Sequence, residues 1–195
     1  MTSPLPTTQI TPRTEPVTIE LENMYKFPAG AIDFGVIYRQ FTEAAMLKYE
    51  GRPGVAEILK KIREENYFDQ GVSIYVYEAG TSRDYLRFCC FEREPHYHYH
   101  HLHALKDAGV EISMETLTIG GHAECVTMNG HWHQVPFDPA ANGDIRVWAL
   151  DKLRNRLGPM LCEAGVPALA GMLDPEACSA AIDAMEPYVF GVLAK

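Results

Sequence analysis

Several signatures that would identify an activity are missing from this chain of 195 residues. It contains no G-x-G-x-x-G fingerprint and no G-x-x-x-x-G-K-[ST] loop, so the sequence does not indicate a nucleotide-binding fold. It also lacks the G-x-S-x-G elbow of α/β-hydrolases. Its five cysteines form no C-x-x-C pair, which argues against a disulfide framework and against a structural zinc site.

Positive charge and long apolar runs are scarce as well. Lysine and arginine number 17 against 26 acidic residues, which gives a net charge of −9. Such a chain has no broad attraction for phosphate backbones or anionic lipid, so we expect neither nucleic acid nor a membrane as its partner. No stretch approaches the ~20 apolar residues that span a bilayer, and the N-terminal segment lacks the features of a signal peptide. We therefore expect a soluble, cytoplasmic protein.

The length and composition predict one domain. A chain of this size commonly forms a single hydrophobic core, since domains run to ~100–200 residues. Four prolines lie among threonines within residues 1–17. They predict a flexible tail, because such a segment supports no helix and buries little apolar surface. The globular domain is then expected over residues 18–195.

Helices are predicted at both ends of this domain. Asp33 can cap a first helix, and a second follows an interruption at residues 51–54, which together give a helical region over 33–66. The apolar positions of the first helix, at helical spacing, are Phe34, Ile37, Tyr38, Phe41 and Ala45. Further helices are expected over residues 145–193. The last of them starts at Asp174, with proline at its first helical position.

Strands are predicted between these helices, over residues 71–137. A β-branched and aromatic run begins at Val72, a long second strand is expected from Tyr85 to about His98, and a third from Val110 to Ile119. Asn129-Gly130 predicts a two-residue hairpin, because both residues tolerate the positive φ of a type I′ turn. The expected fold class is α+β. It has a largely antiparallel, curved sheet of about five strands in a meander, flanked by N-terminal and C-terminal helices.

Histidine is what this sequence has in abundance. Five of its eight histidines fall within residues 96–103, and two more are His131 and His133. Neutral imidazole is the commonest metal ligand in proteins, so this density indicates a metal site or a proton-transfer centre. Side chains alternate along a strand, which predicts His96 and His98 on one face.

The predicted hairpin fixes a second set of neighbours. Counting back from its turn, Met128 faces His131, Val126 faces His133, and Glu124 is a diagonal neighbour of His133. His131, His133 and Glu124 are therefore expected to point to one side of the sheet. The remaining histidines are expected elsewhere: His122 beside the Gly120-Gly121 turn, and His101 and His103 on the surface or in a loop.

These placements suggest a metal-dependent enzyme that acts on a small molecule by redox or hydrolytic chemistry. The candidate ligands are His96, His98, His131 and His133, with Glu124 as the candidate catalytic residue. The expected cofactor is a divalent transition metal, namely Fe, Zn, Cu or Mn, that activates water, dioxygen or a substrate oxygen. Two alternatives stay open. One is a non-catalytic small-ligand-binding or dimerising domain, and the other is a metal-free histidine acid/base isomerase, cyclase or lyase.

The last predicted helix raises the question of assembly. It carries an apolar stripe at helical spacing, formed by Ala181, Met185, Tyr188, Val189 and Val192. Such a stripe either packs in the core of the monomer or, if exposed there, is buried in a symmetric homodimer.

Overall fold

A computed structural model describes residues 24–51, 55–119 and 123–191. The predicted tail at residues 1–17 and His122 lie outside these residues. The elements in chain order are β1 Tyr25–Ala29, β2 Ile32–Gln40, α1 Glu43–Leu47, α2 Val55–Glu65, β3 Gln70–Glu78, β4 Asp84–Phe91, β5 His96–Tyr99, α3 Leu102–Asp107, β6 Met114–Ile119, β7 Ala123–Met128, β8 His131–Pro136, α4 Pro139–Asn142, α5 Ile145–Glu163, α6 Pro167–Ala170 and α7 Pro175–Phe190.

The strands form one antiparallel sheet in the order β1-β2-β3-β4-β5-β8-β7-β6. The α+β class is thereby confirmed. The expected curved meander of about five strands is wrong in detail, because within the described residues the sheet has eight strands, and its curvature differs. From β1 to β5 the strands lie in chain order, as in a meander. The next neighbour of β5 is then β8 and not β6. The last strand of the chain thus lies in the middle of the sheet.

The helix predicted to start at Asp33 is wrong. Residues Ile32–Gln40 form strand β2, which pairs with β3 over its whole length. The apolar residues of this segment satisfy a period of two as well as a helical period, since Ile32, Phe34 and Val36 are all fully buried on one side. Long-range pairing with β3 decides between the two patterns. Gly35 also has a packing role, because a Cβ there would overlap the Met24 side chain.

The long strand predicted from Tyr85 to His98 is also wrong, because the chain reverses within it. Strands β4 and β5 are antiparallel neighbours, with Cys89 opposite His96 and Arg87 opposite His98. The reversal is held by the buried carboxylate of Asp69, which accepts backbone N–H groups from two residues of the turn, Arg93 and Glu94, at 3.0 and 3.1 Å. A side chain distant in sequence therefore satisfies the backbone donors of this turn.

One side of the sheet, which we term the core face, is covered by helices α5 and α7. Its fully buried residues include Phe34, Ile74, Leu86 and Phe88. The apolar stripe of α7 packs here, with Ala181, Met185 and Val189 buried, while Val192 lies outside the described residues. Burying each large side chain contributes roughly 1.5–3 kcal/mol. The stripe is therefore core in the monomer, and it adds no argument for the homodimer, which stays a prediction.

The opposite side of the sheet, which we term the histidine face, carries the alternate residues of the same strands. Helices α1 and α2 lie over one end of it and form a small apolar cluster of their own around Met46, Val55 and Leu59. The ring of Phe41, which packs on that cluster, meets the ring of Phe91 on β4, with centroids 4.9 Å apart. None of the helices in the described ranges is both long and apolar enough to cross a membrane.

Candidate metal centre

Strand β5 brings the first histidines together. It returns antiparallel to β4, so alternate residues His96, His98 and His100 lie on the histidine face beside Cys89 and Arg87. The three imidazoles follow one another along the strand, with ring centroids 4.9 Å and 5.2 Å apart. The period-two pattern therefore predicts the shared face of His96 and His98 correctly, because β5 begins after Pro95 and the proline does not interrupt it.

The β7–β8 hairpin brings a further histidine to this row. Its turn is confirmed, since Asn129 and Gly130 both have positive φ (49° and 81°). The expected opposition of Met128 and His131 is confirmed as well. Beyond that pair the register shifts, and Val126 faces Gln134, so the expected opposition of Val126 and His133 is wrong.

The shift is a β-bulge, which adds one residue to β8 and re-aims a side chain. The ring of His133 lies 5.1 Å from that of His100 and 5.7 Å from that of His98, measured between centroids. The bulge therefore takes His133 out of the regular ladder and places it against the histidines of β5.

Two groups of side chains have donor atoms close enough to share an ion. In His98, His100 and His133, one nitrogen from each ring lies within 4.8 Å of the others, and the same limit holds for Cys89, His96 and His98. Ligands at about 2.1 Å around a tetrahedral ion stand about 3.4 Å apart, so small side-chain rotations close either group. We term the first group the imidazole trio. It shares His98 with the second group.

A hydrogen bond orients one ring of the trio, and a carboxylate lies close behind a second. His133 Nδ1 lies 3.1 Å from the carbonyl oxygen of Tyr99; because a carbonyl only accepts, Nδ1 carries the proton and Nε2 is left with a lone pair. His100 Nδ1 lies 3.0 Å from Asp84 Oδ2, although the angle between them is poor for a hydrogen bond. A carboxylate or a carbonyl behind a histidine is the usual arrangement in metal sites.

Asp84 is itself fixed from behind. Its carboxylate is fully buried and accepts two hydrogen bonds from the Arg87 guanidinium, at 2.6 and 3.1 Å. Burial alone would raise the pKa of Asp84, but His100 and Arg87 hold it well below its usual range. Among the residues that the structure describes, neither the buried Nδ1 of His98 nor Oδ1 of Asp84 has a hydrogen-bond partner.

The protonation states suit metal binding. Burial lowers the pKa of His133 to about 3, and it also lowers the pKa values of His98 and His100. The trio is therefore neutral at pH 7, which is the form of imidazole that binds metals. His96 differs, because the adjacent sulfur of Cys89 overcomes the effect of burial and raises the pKa of His96.

A pocket of about 270 Å³ opens on the histidine face. Cys89, His96 and His98 line its floor, and Ile58 and Lys61 of α2 line its opposite side. His98 belongs both to this pocket and to the trio, so an ion in the trio would border the pocket. A larger cavity of about 510 Å³ lies near the start of α5, but no histidine lines it.

The other predicted site residues fall elsewhere. His131 belongs to neither ligand group. It is exposed, and its ring lies 4.8 Å from that of His101. The side chain of Glu124 lies outside the described part of the chain. His101 and His103 are expected on the surface or in a loop, but both are only 2% exposed, so the surface placement is wrong. They lie inside because α3 begins at once after β5 and turns its first residues inward.

His100, Cys89, Asp84 and Arg87 are not among the site residues predicted from the sequence. A signal for His100 exists, since it continues the alternation of His96 and His98. The others carry no local signal. Asp84 reaches the histidine face beside Arg87 only because the register of β3 and β4 shifts near Tyr85.

These features define an α+β protein with a histidine-rich centre on one face of an eight-stranded antiparallel sheet. The chain belongs to the family described as a domain of unknown function (DUF7700), which matches residues 26–121 and 121–189. No curated protein and no solved structure matches the chain. The chemistry of the side chains therefore has to carry the functional argument.

Proposed function

We propose that this protein is a metal-dependent enzyme that acts on a small molecule, with the ion held by His98, His100 and His133. The observation that carries the proposal is the imidazole trio itself. Its donor atoms converge within 4.8 Å, and two of its rings are held from behind by Tyr99 and Asp84. This ligand set revises the one expected from sequence, since His100 replaces His131 and His96.

A catalytic role is favoured over a structural one. Three protein ligands leave a coordination position open, and the pocket beside His98 gives a small molecule access to it. Neutral imidazoles leave the full 2+ charge on the ion, which lowers the pKa of a bound water. We therefore favour hydrolytic or hydration chemistry with Zn²⁺.

Redox chemistry at Fe²⁺ is the less favoured form of the proposal. Non-haem iron oxygenases commonly use two histidines and one carboxylate. Within the residues that the structure describes, neither ligand group includes a carboxylate. Cu²⁺ and Mn²⁺ remain in the experiment below as comparison ions.

Metal analysis tests the proposal. Protein purified without an affinity tag is stripped of metal, reconstituted separately with Zn²⁺, Fe²⁺, Cu²⁺ and Mn²⁺, desalted, and measured by mass spectrometry of the elements. We expect about one equivalent of Zn²⁺ in the natural protein. His100→Asn and His133→Asn should retain less than about a tenth of it, because each removes one of three ligands. His131→Asn is the matched control and should bind as the natural protein does.

Two outcomes would overturn the proposal. Equal losses in all three histidine variants would mean nonspecific binding to a histidine tract, and no binding by the natural protein would remove the metal altogether. Cys89→Ser separates the two ligand groups. This variant should still bind Zn²⁺ as the natural protein does. If it loses the ion, the ion is held by Cys89, His96 and His98 instead. Circular dichroism of each variant confirms that it is folded.

A metal-free acid/base enzyme is the second candidate, and His96 favours it. This residue lines the pocket, donates from Nδ1 to the Glu94 carbonyl at 2.7 Å, and has its pKa raised by Cys89. A ring held in this way can exchange a proton at its other nitrogen. Absence of metal binding together with turnover that requires His96 but not His133 would support this candidate over the first.

A further inference from the structure

The charges around the pocket are almost all compensated. Asp69 accepts hydrogen bonds from the backbone of Gln70, Arg93 and Glu94 and from the Tyr67 hydroxyl, so its carboxylate is committed to the turn between β4 and β5. At the rim, Lys61 Nζ lies 3.9 Å from Glu94 Oε1.

The two arginines of the pocket differ in their partners. Arg87 is bound to the buried carboxylate of Asp84 and lies over the Tyr75 ring, 4.6 Å from its centroid. Arg39 is half-buried on β2 and lines the same pocket. No acidic group among the described residues lies within ion-pair distance of it. Arg39 shares the pocket lining with Cys89 and His96.

Part of the pocket lining is apolar. Phe41 and Phe91 meet edge to face, and Ile58 of α2 closes the side opposite the sheet. A guanidinium that is partly removed from water without a counter-charge is costly, and the planar fork of arginine matches the two oxygens of a carboxylate. With a volume of about 270 Å³, the pocket lies below the ~300–1,000 Å³ of sites for drug-sized ligands.

From this arrangement we infer that the substrate is a small organic acid whose carboxylate binds Arg39 and whose apolar part lies between Phe41, Phe91 and Ile58. Its reacting group then lies toward His98, which deepens the proposed function and rests on it. One uncompensated cation suits a singly charged carboxylate. A phosphate monoester, with nearly two charges at pH 7, would need a second cation, and Lys61 and Arg87 are already paired.

Binding of probe molecules to the metal-free protein tests this inference separately from the metal. Benzoate, its neutral analogue benzamide, and phenyl phosphate are titrated by calorimetry at constant ionic strength. We expect benzoate to bind at least tenfold more tightly than benzamide and more tightly than phenyl phosphate. No ion is present in this titration, so its result does not depend on whether the protein binds metal. A negative titration likewise leaves the result of the metal analysis unchanged.

Variants locate the site. Arg39→Gln should weaken benzoate binding at least tenfold, and Arg39→Lys should recover only part of it, since lysine lacks the two-pronged geometry. Arg93→Gln is the matched control, because Arg93 lies over the ring of the lining residue Tyr67 but is not itself among the residues that line the pocket. It should change binding less than twofold. Equal binding of benzoate and benzamide, tighter binding of phenyl phosphate, or undiminished binding by folded Arg39→Gln overturns the inference.

Discussion

At the scale of single residues, Asp84 does the most to define the site. It connects Arg87 on one side with His100 on the other, and all three side chains are largely removed from water. A buried ion pair of this kind adds little net stability, because desolvation offsets most of the attraction. We attribute to it a positioning role, which keeps the His100 ring turned toward the other two imidazoles.

Replacing Asp84 by asparagine should therefore have two effects. The affinity for metal should fall about 10–100-fold, as is typical when the group behind a ligating histidine is removed. The free energy of unfolding should fall by about 3–5 kcal/mol, because Arg87 is left as an uncompensated buried charge. Urea unfolding and competition with a metal chelator measure the two quantities.

The double variant Asp84→Asn with Arg87→Met is the control for this prediction. It removes both charges, so much of the lost stability should return while the metal affinity stays low. If the two substitutions instead destabilise additively, the buried pair is not coupled and the interpretation is wrong.

At the scale of elements, the sequence predicts features that neighbouring residues determine better than features that long-range contacts determine. The hairpin at Asn129-Gly130 follows from two residues that tolerate positive φ, and it was predicted correctly. The β-bulge that delivers His133 was not, because it depends on how β8 pairs with both β7 and β5. The spacing of Phe34, Ile37 and Tyr38 fits a helix, and only pairing with β3 makes that segment a strand.

The reversal between β4 and β5 shows the same limit. Its residues, Glu92 to Pro95, include no glycine or asparagine, and the acceptor for its backbone donors is the distant Asp69. Because no local turn signal marks this reversal, the sequence predicts one strand that continues through it. For the candidate site, the sequence predicts only what strict alternation or a local turn determines, namely the shared face of His96 and His98 and the hairpin turn.

Asp69 gives a prediction at this scale. Asp69→Ala removes the acceptor of three backbone N–H groups in a buried position, and each unsatisfied group costs about 1–3 kcal/mol. We expect the free energy of unfolding to fall by at least about 3 kcal/mol, measured by urea denaturation. Asp69→Asn keeps one acceptor oxygen and should lose less. A loss below about 0.5 kcal/mol for Asp69→Ala would show that the turn does not depend on this carboxylate.

At the scale of the whole molecule, the sheet separates an apolar core face from a face with several buried neutral histidines. Their pKa values are lowered by burial, to about 4 for His101 and about 3 for His133, against the ordinary value of about 6.5 in an unfolded chain. Below pH 6.5 the unfolded chain therefore binds protons that the folded protein does not. By linkage, the folded state loses stability as the pH falls.

We expect the metal-free protein to lose stability progressively from about pH 6.5 down to about pH 4, where His101 begins to protonate in the folded state as well. Each such histidine contributes up to about 1.4 kcal/mol per pH unit in this window. Urea midpoints at pH 7.5, 6.5, 5.5 and 4.5 measure the slope. His133→Asn should reduce the slope by the contribution of up to one proton. A flat profile above pH 4.5 would contradict this prediction.

The order of the strands also has a consequence for how the protein folds. His133 and the Tyr99 carbonyl that orients it are 34 positions apart, and they meet only when β8, the last strand, docks against β5 in the middle of the sheet. Contacts between such distant segments form slowly, because a long loop has to close first. An ion bound to the trio would fasten these two segments together, so metal-loaded protein should unfold more slowly than metal-free protein, and acquisition of metal during refolding should mark the arrival of β8.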